Sequence, residues 1–491
     1  MKRVFGCLLI LTGLVACGVL PSCKKDNPAN GGGDTPGGDK QEEVATAARN
    51  LERAITLTDA AMKNYFNEAD GFAMYRYYNP YNGTHQNNEY GSVWMYTSAI
   101  EAVNAVLKGL DIDKAKGNAT LYTAHHDRYV QLLDKLVDRL DYYSGTFSLT
   151  SFTQTRNWTV YGVNRGKSKG SASVGGRDNV YDDQQWLVRE LIEAYHLTGK
   201  AEYLRKAEYL TEYVLDGWDC TVKGGKERGG IPWGPGYYSK HSCSNGPMVS
   251  PLVWLSEAYQ GKGDQATWRY IDLSDGHTRK AEQMPKSDYY LMFARKVYAF
   301  QKDNLMMKDG SHVYADNLNG PSIGGDIQYE TVDGERYRRP ADLNDFNGPA
   351  ISYNSGTMLS GAADLYRVTG DNTYLEDLQA LDVDSFRAFA KLGQQKAGYY
   401  SYAIDGFNNW FNGVLLRGYV DAFPFDGAAS APIDSFQKNL DYAWDNYLNE
   451  NMLPPSLLVG WNTDRSRNNV EGMFVFAFAA EYAVMSRYLN K

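Results

Sequence analysis

The chain has 491 residues, a formal net charge of −9 and 43% apolar residues. The negative balance, with no dense Lys/Arg run, argues against a nucleic-acid partner, which demands a positive face. The length permits a sizeable core. The 38 tyrosines and 10 tryptophans mostly serve packing but also suit an aromatic-lined carbohydrate surface.

Met1-Lys2-Arg3 is a basic start, Val4 to Leu20 is mostly apolar, and Leu20-Pro21-Ser22-Cys23 leads into Lys24-Lys25-Asp26. The pattern predicts a secretory signal over 1–22, too short in its apolar part for a comfortable membrane span. Cys23 then stands where a bacterial lipoprotein is acylated and becomes the mature N-terminus. Pro21 departs from the usual small or aliphatic residue there. Leu14-Val15-Ala16-Cys17 fits the pattern better but leaves apolar residues after the cut. The competing reading is plain secretion, with the cysteine incidental. Residues 23–41, rich in Gly, Pro and Asp from Asn27 to Asp39, predict a flexible tether. The expectation is a monomer held in the bacterial cell envelope by its lipid alone, on the outer surface or the periplasmic face. In the mature body only Cys220 and Cys243 remain. Export permits a bridge between them, and two cysteines leave that pairing open.

From residue 42 onward the chain reads as one domain of successive helices. Apolar residues recur at helical spacing over 45–66, 94–107, 129–140, 185–197, 201–215 and 249–259. They do so again over 289–305, 357–368, 374–392, 410–420, 433–446 and 472–489. Sustained period-two strands are scarce. Two segments repeat: a helix ending in Thr198-Gly199 before Tyr203-Leu204, and one ending in Thr369-Gly370 before Tyr374-Leu375. Glycine there suits the left-handed cap that ends a helix, and a tight helical hairpin follows. Repeated helical hairpins form solenoids, or toroids when the array closes.

The opposite edge carries longer connections rich in Trp, Asn, Gly and Tyr: 224–247, 309–354, 401–412 and 456–471. Gathered on one rim, they predict a cleft. Asp182 and Asp183 fall on this rim, at the far end of the helix that closes on Thr198-Gly199. They are the chain's adjacent aspartate pair, flanked by Tyr181 and Trp186. Glycosidic cleavage needs two carboxyls, one to donate a proton and one to stabilise or attack the anomeric carbon. The competing reading is helix capping, for which Asp is a favoured residue.

Four segments together carry a family resemblance. They are Tyr181-Asp182-Asp183-Gln184-Gln185-Trp186, Gly229-Gly230-Ile231-Pro232-Trp233 with Ser244-Asn245, Tyr353-Asn354-Ser355-Gly356, and Phe411-Asn412-Gly413-Val414-Leu415-Leu416-Arg417. From residue 42 to the C-terminus the chain resembles the α-1,6-mannanases of glycoside hydrolase family 76. The resemblance implies an all-α (α/α)6 barrel and an endo-acting, retaining enzyme that hydrolyses α-1,6-linked mannan. It implies Asp182 as nucleophile and Asp183 as proton donor, with no metal or organic cofactor. Trp233, Asn245, Tyr353 and Asn354 become candidates for sugar subsites, against loop packing and helix capping. Gln184, Pro232 and the long 309–353 loop depart from the family pattern, which bears on chain-length preference and tolerance of branches.

Rival readings remain on the same scaffold. They are a non-catalytic mannan-binding lipoprotein, a transglycosylase, and another toroid glycosidase such as an unsaturated-uronide hydrolase. His125-His126-Asp127 reads as a solvated helix surface, because neighbouring histidines point to different faces.

Overall fold

The computed structural model describes residues 38–87, 89–320, 326–344 and 346–490. The signal, Cys23 and the tether as far as residue 37 lie outside the described residues. Among the described residues are twelve α-helices. The first six are α1 Gly38–Tyr65, α2 Val93–Ala115, α3 Thr120–Arg139, α4 Tyr181–Thr198, α5 Ala201–Asp216 and α6 Val249–Ala258. The rest are α7 Lys286–Leu305, α8 Ser352–Thr369, α9 Asn372–Phe389, α10 Asn408–Ala422, α11 Ser430–Tyr447 and α12 Gly472–Leu489. Each of the twelve apolar periods in the sequence corresponds to one of them. α1 begins at Gly38, inside the segment expected to be tether.

The even-numbered helices contact one another in sequence, from α2 through α12, and α12 contacts α2, so the ring closes. The burial pattern explains this division. α12 is buried from Gly472 through Ala483 on every side, whereas α3 buries only Tyr129, Leu133, Leu136 and Val137. A helix apolar all round belongs inside, and one with a single apolar stripe covers it from outside. The helices α3, α5, α7, α9 and α11 each pack on the inner helix preceding them. α1 is tied to α11 by Asn50–Gln437 and Arg53–Asp441 contacts. The architecture is an (α/α)6 barrel.

Gly199 and Gly370 cap α4 and α8 with φ of +68° and +67°, and their N–H groups return to Tyr195 and Tyr366. The Thr-Gly repeat is therefore a tight turn at the C-terminal ends of inner helices. Six connections, including the four expected to form a rim, enter the N-terminal ends of the inner helices instead. The 259–285 connection breaks this division. It carries a hairpin, Gln265–Ile271 with Arg279–Pro285, whose Arg279 Nε donates to the Phe152 carbonyl of a second hairpin. That second hairpin pairs Ser144–Thr150 with Thr155–Tyr161. Neither was read as a strand from the sequence: Ala266, Trp268 and Tyr270 do alternate with polar residues, but the pattern runs over a single seven-residue strand with only its hairpin partner beside it.

The α8–α10 crossing brings backbone against backbone. A Cβ on Gly356 would lie 2.5 Å from the Val414 carbonyl oxygen, and one on Gly418 would lie 2.5 Å from the Gly356 oxygen. Gly356→Ala therefore forces two inner helices apart. Its expected cost is about 2 kcal/mol, as for other overpacked cores, read as a Tm about two degrees lower in calorimetry for a domain of this size. An unchanged Tm would contradict the close crossing.

Candidate active site

The first turn of α4 is anchored on three sides. The Tyr181 N–H donates to the Trp233 carbonyl at 2.7 Å. Gln184, fully buried, donates from Nε2 to the Tyr161 carbonyl at 2.7 Å and accepts from the Tyr161 N–H at 3.2 Å. Gln185 Nε2 donates to the Ser244 carbonyl at 2.6 Å. Two buried glutamines thus staple the helix start to the 144–161 hairpin and to the short 3-10 turn Ser242–Ser244. Asp182 and Asp183 sit in this turn, and the N-cap position falls on Val180. Neither aspartate is the N-cap.

Both carboxyls line one cleft of about 240 Å3. Tyr353, Phe411, Trp410, Trp186, Trp94 and Phe407 give it an aromatic lining. The Tyr353 and Phe411 rings stack at 4.6 Å, and Trp186 meets Trp410 edge to face at 4.7 Å. Trp233 stacks on His241 at 4.7 Å. Asp316 completes the lining, with its carboxylate 3.9 Å from His241 Nδ1. Flat apolar faces beside a few polar groups suit the alternating C–H and O–H faces of a sugar ring.

The two aspartates differ in their surroundings. Asp182 Oδ1 accepts the Asp183 N–H at 2.9 Å, and Oδ2 accepts the Trp233 indole N–H at 3.2 Å. Burial pushes the Asp182 pKa up to about 6, opposed by the neighbouring Cys243 thiol and by the hydrogen bonds from the Trp233 indole and the Asp183 amide. The N-terminal end of α4 also favours the ionised form. Asp183 is 7% exposed. Burial, and then the neighbouring Asp182 charge, hold its carboxyl well above the ordinary range. The pair therefore loses its first proton chiefly from Asp182 and keeps the second on Asp183. An ionised carboxylate beside a protonated carboxyl is the combination that glycosidic cleavage uses.

Under the cleft the barrel axis is charged and internally paired. Glu101 receives the Trp410 indole N–H at 2.9 Å and an ion pair from Arg417. Glu190 pairs with Arg189, and Glu193 with Lys108 at 3.0 Å. Removing one partner of such a buried pair strands the other charge, so these residues hold up the floor of the site.

Of the expected subsite residues, Trp233 and Tyr353 join the aspartates in the cleft. Asn245 and Asn354 do not line it. Asn245 is fully buried and clamps its own loop: Oδ1 accepts the Ile231 N–H at 2.8 Å, and Nδ2 donates to the Ile231 and His241 carbonyls. Asn354 is 1% exposed, with Nδ2 at 3.3 Å from the Ala315 carbonyl. Their amides satisfy backbone groups that the irregular loops leave open. Sequence reasoning did not single out His241, Cys243, Asp316, Trp94, Phe407 or Trp410 for the site. Five of these six lay on loops expected to line a cleft, His241 and Cys243 in 224–247, Asp316 in 309–354, and Phe407 and Trp410 in 401–412, but nothing in the sequence separated them from their neighbours. Cys220 and Cys243, weighed as a disulfide, are both free and buried.

Comparison with known proteins gives the family and the fold. The model of glycosyl hydrolase family 76 matches residues 118–268 and 280–423, more than half of the chain, and the unmatched 269–279 lies in the hairpin that climbs from α6. Among solved structures, a family 76 glycoside hydrolase (mannosidase) from Bacteroides thetaiotaomicron aligns with a TM-score of 0.63 at 21% identity, covering 89% of this chain and 98% of that one. A family 76 glycoside hydrolase from a bovine strain of the same species gives 0.62 at 18% identity, covering 89% and 78%. An α-1,6-mannanase of a Salegentibacter species gives 0.58 at 17% identity, covering 89% and 99%. It is an inactive variant with two consecutive aspartates changed to asparagine, in complex with α-1,6-mannotriose. No curated protein matches the chain in sequence. The chain belongs to glycoside hydrolase family 76.

Proposed function

We propose that the enzyme is a retaining endo-α-1,6-mannanase in which Asp182 is the nucleophile and Asp183 the acid/base. The observation that carries this reading is the asymmetry of the pair: the Asp183 N–H and the Trp233 indole both donate to the Asp182 carboxylate, and burial keeps the proton on Asp183. Asp182 attacks the anomeric carbon while Asp183 gives its proton to the departing glycosidic oxygen. Asp183, now a carboxylate, then takes a proton from water as that water attacks the anomeric carbon and frees Asp182. Two inversions retain configuration. The α-1,6-mannan substrate and the endo mode rest on the family resemblance and on the Salegentibacter mannanase, whose variant lacking two consecutive aspartates is inactive and holds α-1,6-mannotriose. Attachment to the bacterial envelope through Cys23 rests on the sequence alone.

The test is incubation with unbranched α-1,6-mannan, followed by proton NMR of the anomeric region and by product sizing. The expected result is a ladder of short oligosaccharides whose new reducing ends appear first as the α anomer. An initial β anomer would end the retaining mechanism. Mannan bound but uncut would support the glycan-binding rival, and products longer than the starting oligosaccharide would support transglycosylation.

A further inference from the structure

The catalytic cleft opens at the N-terminal ends of the inner helices. Towards their C-terminal ends the same six helices enclose a second cavity of about 530 Å3, more than twice the volume of the cleft. Every inner helix contributes to it: Lys108 of α2, Glu193 of α4, Trp254 of α6, Asp364 of α8, Asp421 of α10 and Arg487 of α12. The cavity therefore lies on the barrel axis, at the mouth opposite the aspartate pair. A smaller cavity of about 50 Å3 separates the two, sharing Lys108, Arg189, Glu193 and Arg487 with the opposite mouth and Trp410 with the cleft. The mechanism above makes no use of this mouth.

Its walls are ion pairs. Lys108 Nζ meets Glu193 at 3.0 Å and Arg487 Nη2 meets Asp421 at 3.0 Å, while Arg367 Nη2 reaches Glu257 at 2.9 Å and Asp364 at 2.8 Å. Arg189 pairs with Glu190 and lies over the Trp254 ring at 5.4 Å. The Trp254 indole N–H donates to Asp364 at 3.0 Å, so its ring and Phe425 form the apolar part of the wall. These pairs decide the class of ligand. A free anion is disfavoured, because each lysine and arginine of the wall already faces a carboxylate and six helix C-termini direct partial negative charge to this end. A metal ion finds no group of three or more His, Cys, Asp or Glu ligands among the described residues. A neutral polyol fits. One hydroxyl can donate to a carboxylate while its neighbour accepts from the paired guanidinium, and hydrogen bonds to charged groups are roughly twice as strong as neutral ones. Arg487 adds a buried Nε that has no hydrogen-bond partner. The volume falls within the range of about 300–1,000 Å3 common for small-ligand sites. We propose that this mouth is a second carbohydrate-binding site, separate from the catalytic cleft, which takes a short neutral saccharide. The choice of a mannose saccharide as its occupant rests on the mannanase reading.

The test is calorimetric titration of α-1,6-mannotriose into the Asp182→Asn enzyme, with Arg367→Ala or Trp254→Ala added to that background. The Arg367 side chain is 42% exposed, so its loss should leave the fold intact, which a thermal melt checks. Two mannotrioses per chain are expected before either addition. Loss of hydrogen bonds to a charged group in Arg367→Ala should weaken one of the two by at least about tenfold and leave the other unchanged. Trp254→Ala should weaken the same one. Arg367→Ala in the otherwise wild-type enzyme should keep the wild-type kcat/KM on an aryl α-mannoside, which is read at the cleft alone. One mannotriose per chain in the Asp182→Asn enzyme overturns the inference. So do two whose affinities both survive Arg367→Ala and Trp254→Ala, and so does displacement of the weaker-bound one by inorganic phosphate, which would mark an anion site. A wild type that cuts no mannan strikes the mannanase reading instead. D-mannose, D-glucose and D-galactose then replace mannotriose as probes, and binding of none of them in an Arg367-dependent way overturns the second site as well.

Discussion

Asp182→Asn is expected to lower kcat/KM on unbranched α-1,6-mannan by at least about 10⁴-fold, or roughly 5.5 kcal/mol of transition-state stabilisation. The fold should be undisturbed. The substitution keeps shape and volume in a turn held by Gln184, Gln185 and the Tyr181 N–H, none of which uses the Asp182 side chain. It also removes a charge that burial disfavours, so Tm should stay level or rise slightly. What disappears is the group that bonds to the anomeric carbon, an interaction made only as the reaction proceeds. Substrate affinity should therefore survive, because the aromatic lining of Tyr353, Phe411 and Trp233 remains. Initial rates, calorimetric binding of a mannotriose and a thermal melt together make the measurement. A variant with wild-type turnover ends the assignment, and one that loses binding and Tm together makes Asp182 structural.

Much of the scaffold was legible because its signals are local. Twelve apolar periods marked twelve helices, and the paired Thr-Gly segments marked Gly199 and Gly370, whose positive φ requires a residue without a side chain. The alternation of short and long connections then placed Asp182 and Asp183 at the open end of the ring. The lining of the cleft was less legible because long-range contacts create it. His241 and Cys243 come from a loop whose register depends on Gln185, and Asp316 arrives from a strand that pairs Asn317 with His241. Residue type misled in two cases. Asn245 and Asn354 look like hydroxyl-binding groups in a polar loop, but a buried turn has its own N–H and C=O groups to satisfy, and these amides serve them. The difference in surroundings within the pair was also beyond the residues themselves, and only the family resemblance assigned roles to them. Adjacent aspartates are chemically identical until one meets the Trp233 indole and the other meets only buried surroundings and a neighbouring charge.

Asp183→Asn is expected to separate substrates by their leaving groups. A mannan linkage departs as an alkoxide unless it receives a proton, so loss of the acid should cost about 10²–10⁴-fold in kcat/KM. An aryl α-mannoside with a strongly acidic phenol needs no such proton. Its first step should run at near wild-type rate, visible as a burst of phenol. The second step then stalls because no base remains to activate water, and the mannosyl-enzyme on Asp182 accumulates. Azide, a nucleophile with no proton to lose, should restore turnover and yield the α-mannosyl azide. The pH profile adds an independent readout. In the wild type the reactive form has Asp182 ionised and Asp183 protonated, so activity rises with pH through the Asp182 pKa near 6 and falls as Asp183, held higher by burial and by its neighbour's charge, loses its proton. Asp183→Asn should erase the falling limb and keep the rising one. An equal loss on mannan and on the activated aryl mannoside, with no azide rescue, would make Asp183 a positioning or structural group and return the question of the proton donor to Asp316, the other carboxylate in the cleft.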